Sequence, residues 1–255
     1  MNAVLKEIDY RIAYDGCPLC SGEGSEFRSE YCFPKSGISC ELTWMKCGSC
    51  SHVYTSHYFD ESGYKQLLST VMQDGCFGGK IDEQREIWGA IIQRLIPHAG
   101  KGRWIDVGVG NGGFLFTADE FGFDAVGIDK RAYILQDLKA LGYKVEEADA
   151  TTFDYSGATV VILADILEHI PYPKELLRHI RKDLRGAIYI SCPNMDSVSW
   201  RYMDTVGGTP YWKESEHYHN FTRARLQALL KECGFTPVYF GVSPRYQAGM
   251  EIIAI

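Results

Sequence analysis

A dense cluster of glycines lies in the stretch WIDVGVGNGGFLF, between residues 104 and 116. Gly108, Gly110 and Gly113 satisfy the spacing G-x-G-x-x-G, and Gly112 lies inside it. A strand that ends at such a turn and continues into a helix points backbone N–H groups at a ligand, an arrangement that holds nucleotide cofactors. The glycines alone do not distinguish one such cofactor from another.

Three aspartates occur where three successive predicted strands end. Asp106 lies two residues before the first glycine, and Asp129 and Asp149 end the next two strands. Asp106 would repel the pyrophosphate of a nicotinamide dinucleotide, whereas it would attract the ammonium and sulfonium groups of S-adenosylmethionine. Asp129 can accept hydrogen bonds from two ribose hydroxyls, and Asp149 can accept one from an adenine amino group. The three acids therefore favour S-adenosylmethionine as the cofactor.

Four of the nine cysteines form two C-x-x-C pairs. Cys17 pairs with Cys20 and Cys47 with Cys50, and 26 residues separate the two pairs. Four thiolates in this arrangement can close a tetrahedral zinc site, and a closed site leaves no open position for a substrate. The sequence therefore predicts a structural Zn²⁺ ion. The remaining cysteines are expected to be small buried apolar side chains: Cys32, Cys40, Cys76, Cys192 and Cys233.

Three histidines and a glutamate are candidates for proton transfer. His217 and His219 lie in ESEHYHNFT, near the expected acceptor position, and Glu168 and His169 follow the fourth predicted strand. Histidine takes up a proton near neutral pH, as methylation of a hydroxyl group requires. A structural alternative stays open for these residues, since a histidine can tie a loop to the backbone and Glu168 can orient a loop.

Two further residues are candidate cofactor contacts. Asp165, at the end of the fourth predicted strand, can contact the cofactor or cap a helix. Arg85 can pair with the methionine carboxylate of the cofactor. A lone arginine among Asp82, Glu83 and Glu86 is, however, more often one partner of a solvated ion pair.

Two patterns of composition divide the chain. Residues 1–60 are rich in Cys, Gly, Ser and Tyr and lack a helical period, which predicts a zinc-binding ribbon module, followed by a linker at 61–80. Helical patterns then alternate with short apolar runs, and the first of these helices is expected to end before Pro97. This alternation predicts an α/β domain at 81–255 with a doubly wound, mostly parallel sheet.

The segment at 194–222 interrupts this alternation. It contains Gly207, Gly208 and Pro210 and is rich in Trp and Tyr. A long irregular segment inside a compact domain usually has a function, so we interpret it as a lid or substrate wall that can hold short helices. The alternative is a surface insertion without a role in binding.

The charge balance bears on the class of partner. The net charge is −7, and residues 1–60 contain five basic and eight acidic residues, the reverse of a typical nucleic-acid-binding ribbon. No apolar run approaches the roughly 18 residues that a membrane span needs, and the first residues lack the apolar segment of a signal peptide. We expect a cytoplasmic protein without a membrane span, and a homo-oligomer stays open.

The motifs together resemble the class I S-adenosylmethionine-dependent methyltransferases. The resemblance covers roughly residues 81–255 and rests on DVGVGNG, Asp129, the ADA at 148–150 and LADILEHIPYP. With HNFT and KECGF it looks like the subgroup of coenzyme-Q O-methyltransferases and many sugar and natural-product methyltransferases. The resemblance implies a Rossmann-like sheet of seven strands whose last strand, MEIIAI, is antiparallel. It also implies that Ala150 lies on the adenine side and that the LEH segment lines the site.

The sequence is compatible with three functions. The leading hypothesis is O-methylation of a small-molecule or saccharide-like acceptor in surface-glycan, capsule or natural-product biosynthesis, because aromatic residues can stack on sugars and histidines can deprotonate hydroxyls. The first alternative is an RNA base methyltransferase with an RNA-binding zinc ribbon. Its support is weak because the ribbon is acidic and ADILEH lacks the Asn/Asp-Pro-Pro-aromatic motif of enzymes that methylate exocyclic amines. The second alternative is a non-catalytic zinc-stabilised scaffold, which the three intact acids argue against.

Overall fold

The computed structural model describes residues 11–32, 40–68 and 80–255. Cys76 and most of the expected linker lie outside these ranges. The elements of the N-terminal part are β1 (Arg11–Ala13), β2 (Gly24–Tyr31), β3 (Glu41–Cys47), β4 (Val53–Thr55), β5 (His57–Phe59) and α1 (Glu61–Leu68).

From residue 80 onward, helices and strands alternate as the sequence predicts. The strands are β6 (Arg103–Val107), β7 (Ala125–Asp129), β8 (Val145–Glu147), β9 (Ala158–Ala164), β10 (Ala187–Pro193), β11 (His219–Asn220), β12 (Pro237–Val242) and β13 (Gly249–Ala254). The helices are α2 (Ile81–Ala99), α3 (Gly113–Glu120), α4 (Ala132–Ala140), α5 (Pro173–Asp183), α6 (Val198–Thr205) and α7 (Arg223–Glu232).

Seven of these strands form the central sheet, in the order β12-β13-β10-β9-β6-β7-β8. The five strands from β6 to β10 pair in parallel, and β13 runs antiparallel to both of its neighbours. The expected Rossmann-like α/β fold with an antiparallel last strand is therefore confirmed. Parallel strands end at the same edge of a sheet, so the polar residues at the ends of β6, β7 and β9 lie along that edge.

Strand β9 shows why the central strands are apolar along their whole length. Val160 and Ile162 pack into the cluster that faces α2 and α3, whereas Val161 and Leu163 pack into the cluster that faces α5 and α7. All four side chains are fully buried. Burial of each side chain contributes about 1.5–3 kcal/mol to stability. Helices cover both faces of the sheet, so this strand has no alternating polar face.

The prediction that the first helix ends before Pro97 is wrong, because α2 continues through Pro97 to Ala99. A proline lacks the backbone N–H and removes one intrahelical hydrogen bond. Pro97 lies in the last turn, and the flanking Leu95 and Ala99 are buried against the central sheet. Packing of this face outweighs the lost hydrogen bond.

A second sheet joins the N-terminal part to the 194–222 segment. Its order is β11-β4-β3-β2, so that one strand of this segment completes a sheet of N-terminal strands. His219 pairs with Tyr54 and Asn220 with Val53 in antiparallel register. The segment also contains α6 and a 3₁₀ turn, Pro210–Trp212.

Helix α1 occupies the first eight residues of the expected linker. Its Leu67 is buried in a cluster with Phe59 and with Tyr218 of the 194–222 segment. Among the described residues, no helix has both the length and the apolar character to cross a membrane.

Candidate active site

The glycine-rich turn connects β6 to α3 with backbone angles that favour glycine. Gly108, Gly110 and Gly112 have φ values of 75°, 53° and 86°, in the left-handed region. A Cβ at Gly110 would have only the Gly108 carbonyl oxygen, at 4.0 Å, within contact range. The backbone at Gly110 therefore borders open space at the N-terminal end of α3, where a ligand can approach closely.

Asp106 is a buried carboxyl group at the end of β6, with 3% of its surface exposed. The described residues give its carboxylate no hydrogen-bond partner. Burial raises the pKa of Asp106 to about 8; the charge of Asp129 acts in the same direction and that of Arg245 in the opposite one. A buried acid beside a glycine-rich turn is suited to receive a cationic group of a ligand.

Asp129, at the end of β7, is held by an arginine that the sequence reasoning missed. The Nε and Nη2 atoms of Arg131 donate to the two carboxylate oxygens at 2.8 and 2.7 Å, and its backbone N–H donates at 2.9 Å. This bidentate contact orients the carboxylate. The signal in the sequence was an arginine two residues after the acid.

Asp149 lies after β8 and is fixed by nearby donors. The backbone N–H and hydroxyl of Thr151 donate to Oδ1 at 2.8 and 2.7 Å, and Lys130 forms an ion pair at 2.7 Å. Although partial burial raises it, these contacts hold the pKa of Asp149 below its ordinary value. The neighbouring Ala150 is buried, and its carbonyl accepts a hydrogen bond from Tyr155.

Helix α1 reaches the same edge of the sheet. The Lys130 ammonium group lies 5.6 Å from the ring centroid of Tyr64 in α1. The sequence gave no signal for Tyr64, because its segment was interpreted as a linker.

Asp165 follows β9 in the left-handed conformation, with φ of 58°. Its carboxylate accepts hydrogen bonds from Ser191 at 3.2 Å and from Nε and Nη2 of Arg245, both at 3.2 Å. The Arg245 guanidinium group also lies 4.5 Å from the ring centroid of Trp88. Asp165 therefore contacts a strand and a distant arginine rather than a helix end. Sequence reasoning missed Arg245, since no motif surrounds it.

Three of the four predicted catalytic residues come together. Glu168 and His169 lie in a 3₁₀ turn after β9, and His217 lies just before β11. One potential ligand atom from each lies within 4.8 Å of the other two, and the two imidazole rings meet edge to face at 4.6 Å. The backbone N–H of Tyr218 donates to the Glu168 carbonyl at 2.8 Å, which fixes the turn against the 194–222 segment.

Glu168 is the most enclosed member of this cluster, with 1% of its surface exposed. Its Oε2 atom has no hydrogen-bond partner among the described residues. Burial, followed by the charge of Asp165, raises the pKa of Glu168 well above its ordinary value. His169 is oriented by its Nδ1 atom, which lies 2.8 Å from the Glu216 carbonyl oxygen.

His219 lies apart from this cluster. It is fully buried, with Nδ1 at 3.0 Å from Nε2 of His52 and Nε2 at 2.9 Å from the Ile170 carbonyl oxygen. Burial lowers the pKa of His219 to about 4. With both ring nitrogens engaged, its contacts favour the structural alternative over a role as base.

Arg85 is paired with Glu120, at the end of α3. Its Nε atom lies 2.8 and 2.7 Å from the two carboxylate oxygens of Glu120, and its side chain is 56% exposed. These contacts favour the interpretation as a solvated ion pair.

The four predicted zinc ligands converge. The Sγ atoms of Cys17 and Cys50 are 3.6 Å apart, those of Cys20 and Cys47 are 3.5 Å apart, and all four lie within 4.8 Å of one another. Thiolates bound to one zinc ion at about 2.3 Å lie about 3.8 Å apart. The four cysteines therefore fit a tetrahedral zinc ion.

The two C-x-x-C turns repeat the same backbone geometry. Each is followed by a serine in the left-handed conformation, Ser21 with φ of 59° and Ser51 with φ of 58°. The Ser21 and Ser51 N–H groups donate to the carbonyls of Cys17 and Cys47 at 2.7 and 3.0 Å. The two turns thus present their sulfur atoms in the same way.

A cleft of about 380 Å³ lies between β2 and the 194–222 segment. The aromatic residues at this cleft are Phe27, Trp200 and Trp212, and the charged ones are Arg28, Arg201 and Asp204. A series of stacked rings connects the cleft to the cluster of Glu168, His169 and His217, because Tyr211 stacks on Trp200 at 4.8 Å and on His217 at 6.0 Å.

Comparisons with known proteins agree with this fold. Residues 81–239, well over half of the chain, match a family model described as a methyltransferase domain. No curated protein matches the chain.

Several solved structures share the fold. An S-adenosylmethionine-dependent methyltransferase from Archaeoglobus fulgidus is 20% identical, with a TM-score of 0.54 over 70% of this chain and 97% of that one. Magnesium protoporphyrin IX methyltransferase from Synechocystis PCC 6803, solved with bound S-adenosylhomocysteine, is 17% identical, with a TM-score of 0.56 over 77% and 95%. A putative O-methyltransferase from Nostoc punctiforme is 18% identical, with a TM-score of 0.53 over 75% and 58%. The chain thus belongs to the methyltransferase-domain family and has the fold of class I S-adenosylmethionine-dependent methyltransferases.

Proposed function

We propose that this protein transfers a methyl group from S-adenosylmethionine to a hydroxyl oxygen of a small-molecule or saccharide-like acceptor. The observation that carries the proposal is the meeting of Glu168, His169 and His217 at the edge of the sheet where β6 and β7 present Asp106 and Asp129. In this proposal, groups that can hold or accept a proton would lie beside a pocket suited to a cationic methyl donor.

Each residue of the pocket would contact a different part of the cofactor. Asp129 would accept hydrogen bonds from the ribose hydroxyls, and Asp149 and Ala150 would lie beside the adenine. Asp106 would face the positively charged end, and Gly110 would allow close approach of the ligand to the backbone. The bound cofactor supplies an electrophilic methyl group on sulfur. The protein has to align the acceptor oxygen behind that methyl group and exclude water.

The 194–222 segment and the N-terminal module, residues 1–60, are proposed to form the acceptor side together. They share one sheet, and the cleft between them has aromatic walls with Arg28 and Arg201 at its margin. Aromatic rings with nearby charged groups suit a polar ring such as a sugar. This arrangement supports the lid interpretation of the segment.

We propose that Cys17, Cys20, Cys47 and Cys50 hold a structural Zn²⁺ ion in this module. Closed coordination by four cysteines leaves no position for a substrate. The ion would stabilise the N-terminal sheet, in which β11 pairs with β4.

The test is a methyl-transfer assay with radiolabelled S-adenosylmethionine. The purified protein would be incubated with separate panels of nucleotide sugars, glycans, phenolic compounds and RNA, and S-adenosylhomocysteine binding would be measured by calorimetry. We expect binding, together with label in a base-stable ether on a hydroxyl acceptor. Label only in RNA would replace this function with RNA base methylation, and absence of S-adenosylhomocysteine binding would favour a non-catalytic scaffold.

A further inference from the structure

We propose that Glu168, His169 and His217 form a binding site for a divalent metal ion of the Mn²⁺ type, separate from the four-cysteine site. The use of this ion in methyl transfer rests on the proposed function; when the ion is bound, it replaces the three side chains as the group that activates the acceptor hydroxyl. The site lies where the turn after β9 meets the 194–222 segment.

The distances between the three side chains fit a metal site. A carboxylate oxygen and two imidazole nitrogens lie within 4.8 Å of one another, in a place where two of the three residues are adjacent in sequence and the third is distant. Ligands bound to one ion at about 2.0–2.2 Å lie roughly 3–4 Å apart. Small rotations of these side chains would complete the coordination of one ion.

The carboxylate of Glu168 gives independent support. Its Oε2 atom is buried and has no hydrogen-bond partner among the described residues. A buried polar atom left without a partner is unfavourable, so such an atom calls for an explanation. The Nε and Nη2 atoms of the nearby Arg245 donate to Asp165. A cation bound between Glu168 and the two histidines would supply the missing partner.

The surroundings of His169 are those of a metal ligand. The ring of His169 is oriented through Nδ1 by the Glu216 carbonyl oxygen at 2.8 Å, which makes Nε2 the atom that faces an ion. Such a contact is the usual way in which a protein orients a ligating imidazole. The hydrogen bond from Tyr218 N–H to the Glu168 carbonyl joins the two segments that provide the ligands.

The set of ligands distinguishes this site from the four cysteines. Two imidazoles and a carboxylate accept Mn²⁺, Fe²⁺ and Zn²⁺, whereas four thiolates suit Zn²⁺ and do not suit the harder Mn²⁺. Three protein ligands leave positions open on an octahedral ion. These positions suit an acceptor with two neighbouring oxygen atoms, such as a vicinal diol or a hydroxyl next to a carbonyl group.

The ion would lower the pKa of the acceptor hydroxyl, and the hydroxyl proton would pass to solvent. The oxygen electron pair would then form the bond to the methyl carbon while the carbon–sulfur bond breaks and its electrons return to sulfur. The products would be the methyl ether and S-adenosylhomocysteine. No oxidant or reductant is required.

The experiment measures Mn²⁺ binding to the full chain, with its zinc retained, by electron paramagnetic resonance of the free ion. The variants are Glu168→Gln, which keeps the shape of the side chain, and Glu168→Gln combined with His217→Ala. The control is His57→Ala, which removes an exposed imidazole. We expect one Mn²⁺ ion per chain for the unmodified protein and for the control, at least tenfold weaker binding in the single variant, and no measurable binding in the double variant.

Calorimetry with S-adenosylhomocysteine would accompany each measurement and would show that the variants are folded. Failure of the unmodified chain to bind Mn²⁺ below about 1 mM, or unchanged binding in the double variant, would overturn the metal site. A chain that binds S-adenosylhomocysteine but no Mn²⁺ refutes this site and leaves the proposed function standing. A chain that binds Mn²⁺ through these residues but no S-adenosylhomocysteine supports the site and removes the proposed function.

Discussion

The cofactor edge of the central sheet and the junction between the N-terminal module and the 194–222 segment are built in different ways. At the cofactor edge, Asp129 and Asp149 are held by residues close in sequence, Arg131 and Thr151, whereas Asp165 is held by a distant residue, Arg245. At the junction the contacts join residues far apart, as in the pair His52–His219 at 3.0 Å and the bond from Trp44 Nε1 to the Trp212 carbonyl at 3.0 Å. Local contacts leave a motif in the sequence, whereas distant ones do not.

This difference suggests that the two regions serve different partners. The cofactor edge presents a fixed set of acids to one ligand. At the junction, the N-terminal module and the 194–222 segment must pack together before the cleft forms and His217 is positioned. Changes at the junction are therefore expected to alter acceptor use and stability, and changes at the edge to alter cofactor affinity.

The largest effect is expected from Cys47→Ser, which removes one zinc ligand. Structural zinc sites contribute much of the folding energy of small modules, so we expect zinc loss and a free energy of unfolding lower by at least about 3 kcal/mol. For a chain of this size this corresponds to at least about 6 °C in the unfolding temperature. Metal analysis and thermal unfolding are the measurements. Ser49→Ala, in the same turn, is the control and should unfold at the temperature of the unmodified protein. If Cys47→Ser also unfolded at that temperature, a structural ion would be refuted.

Asp129→Ala is expected to weaken S-adenosylhomocysteine binding about 100-fold or more. Two hydrogen bonds to a charged group are lost, each worth about 1.5–3 kcal/mol. Calorimetry measures this change. Asp124→Ala, which removes an exposed carboxylate paired with Lys144, is the control and should leave the affinity unchanged. An affinity within threefold of the unmodified protein in Asp129→Ala would exclude Asp129 as the ribose contact.

The affinity for S-adenosylhomocysteine is expected to rise between pH 6 and 8, by up to about tenfold per pH unit. Burial raises the pKa of Asp106 to about 8, so the free protein binds a proton there that the ammonium group of the ligand must displace. The same shift contributes stability that is full below the ordinary pKa of the acid and is lost as the pH rises through about 8. Calorimetry across this range, with Asp106→Asn as the variant whose profile should be flat, is the measurement. An equally steep profile in the variant would assign the effect to another group.

A double-mutant cycle of His52→Ala and His219→Ala is expected to give a coupling energy of about 1 kcal/mol in stability. The two buried rings share a hydrogen bond, and His219 also contacts the Ile170 carbonyl. Chemical denaturation measures the coupling. His219→Ala should also lower turnover without changing cofactor affinity, because His219 joins the 194–222 segment to His52 and to the Ile170 carbonyl and hydrogen-bonds to none of the strand-end acids. Additive effects of the two changes would mean that the module and the segment are energetically independent at this point.

The smallest effect is expected from Arg85→Ala, with changes below about 0.5 kcal/mol in both cofactor affinity and stability. Exposed ion pairs such as Arg85–Glu120 contribute little, since solvent screens them. Calorimetry and denaturation are the measurements. A tenfold loss of affinity would restore Arg85 as a cofactor contact.

The sequence alone determined the fold, the strand-end acids and the convergence of four cysteines, because each depends on a short-range regularity. Apolar runs alternate with helical periods, acids and glycines follow strand ends, and two C-x-x-C turns repeat. The tertiary structure alone decided that β11 joins the N-terminal sheet, that His219 is buried beside His52 while His217 joins His169, and that Arg245 pairs with Asp165. These contacts join residues separated by tens to more than a hundred positions, and their free energy comes from desolvation and packing on a surface that exists only after the chain has folded.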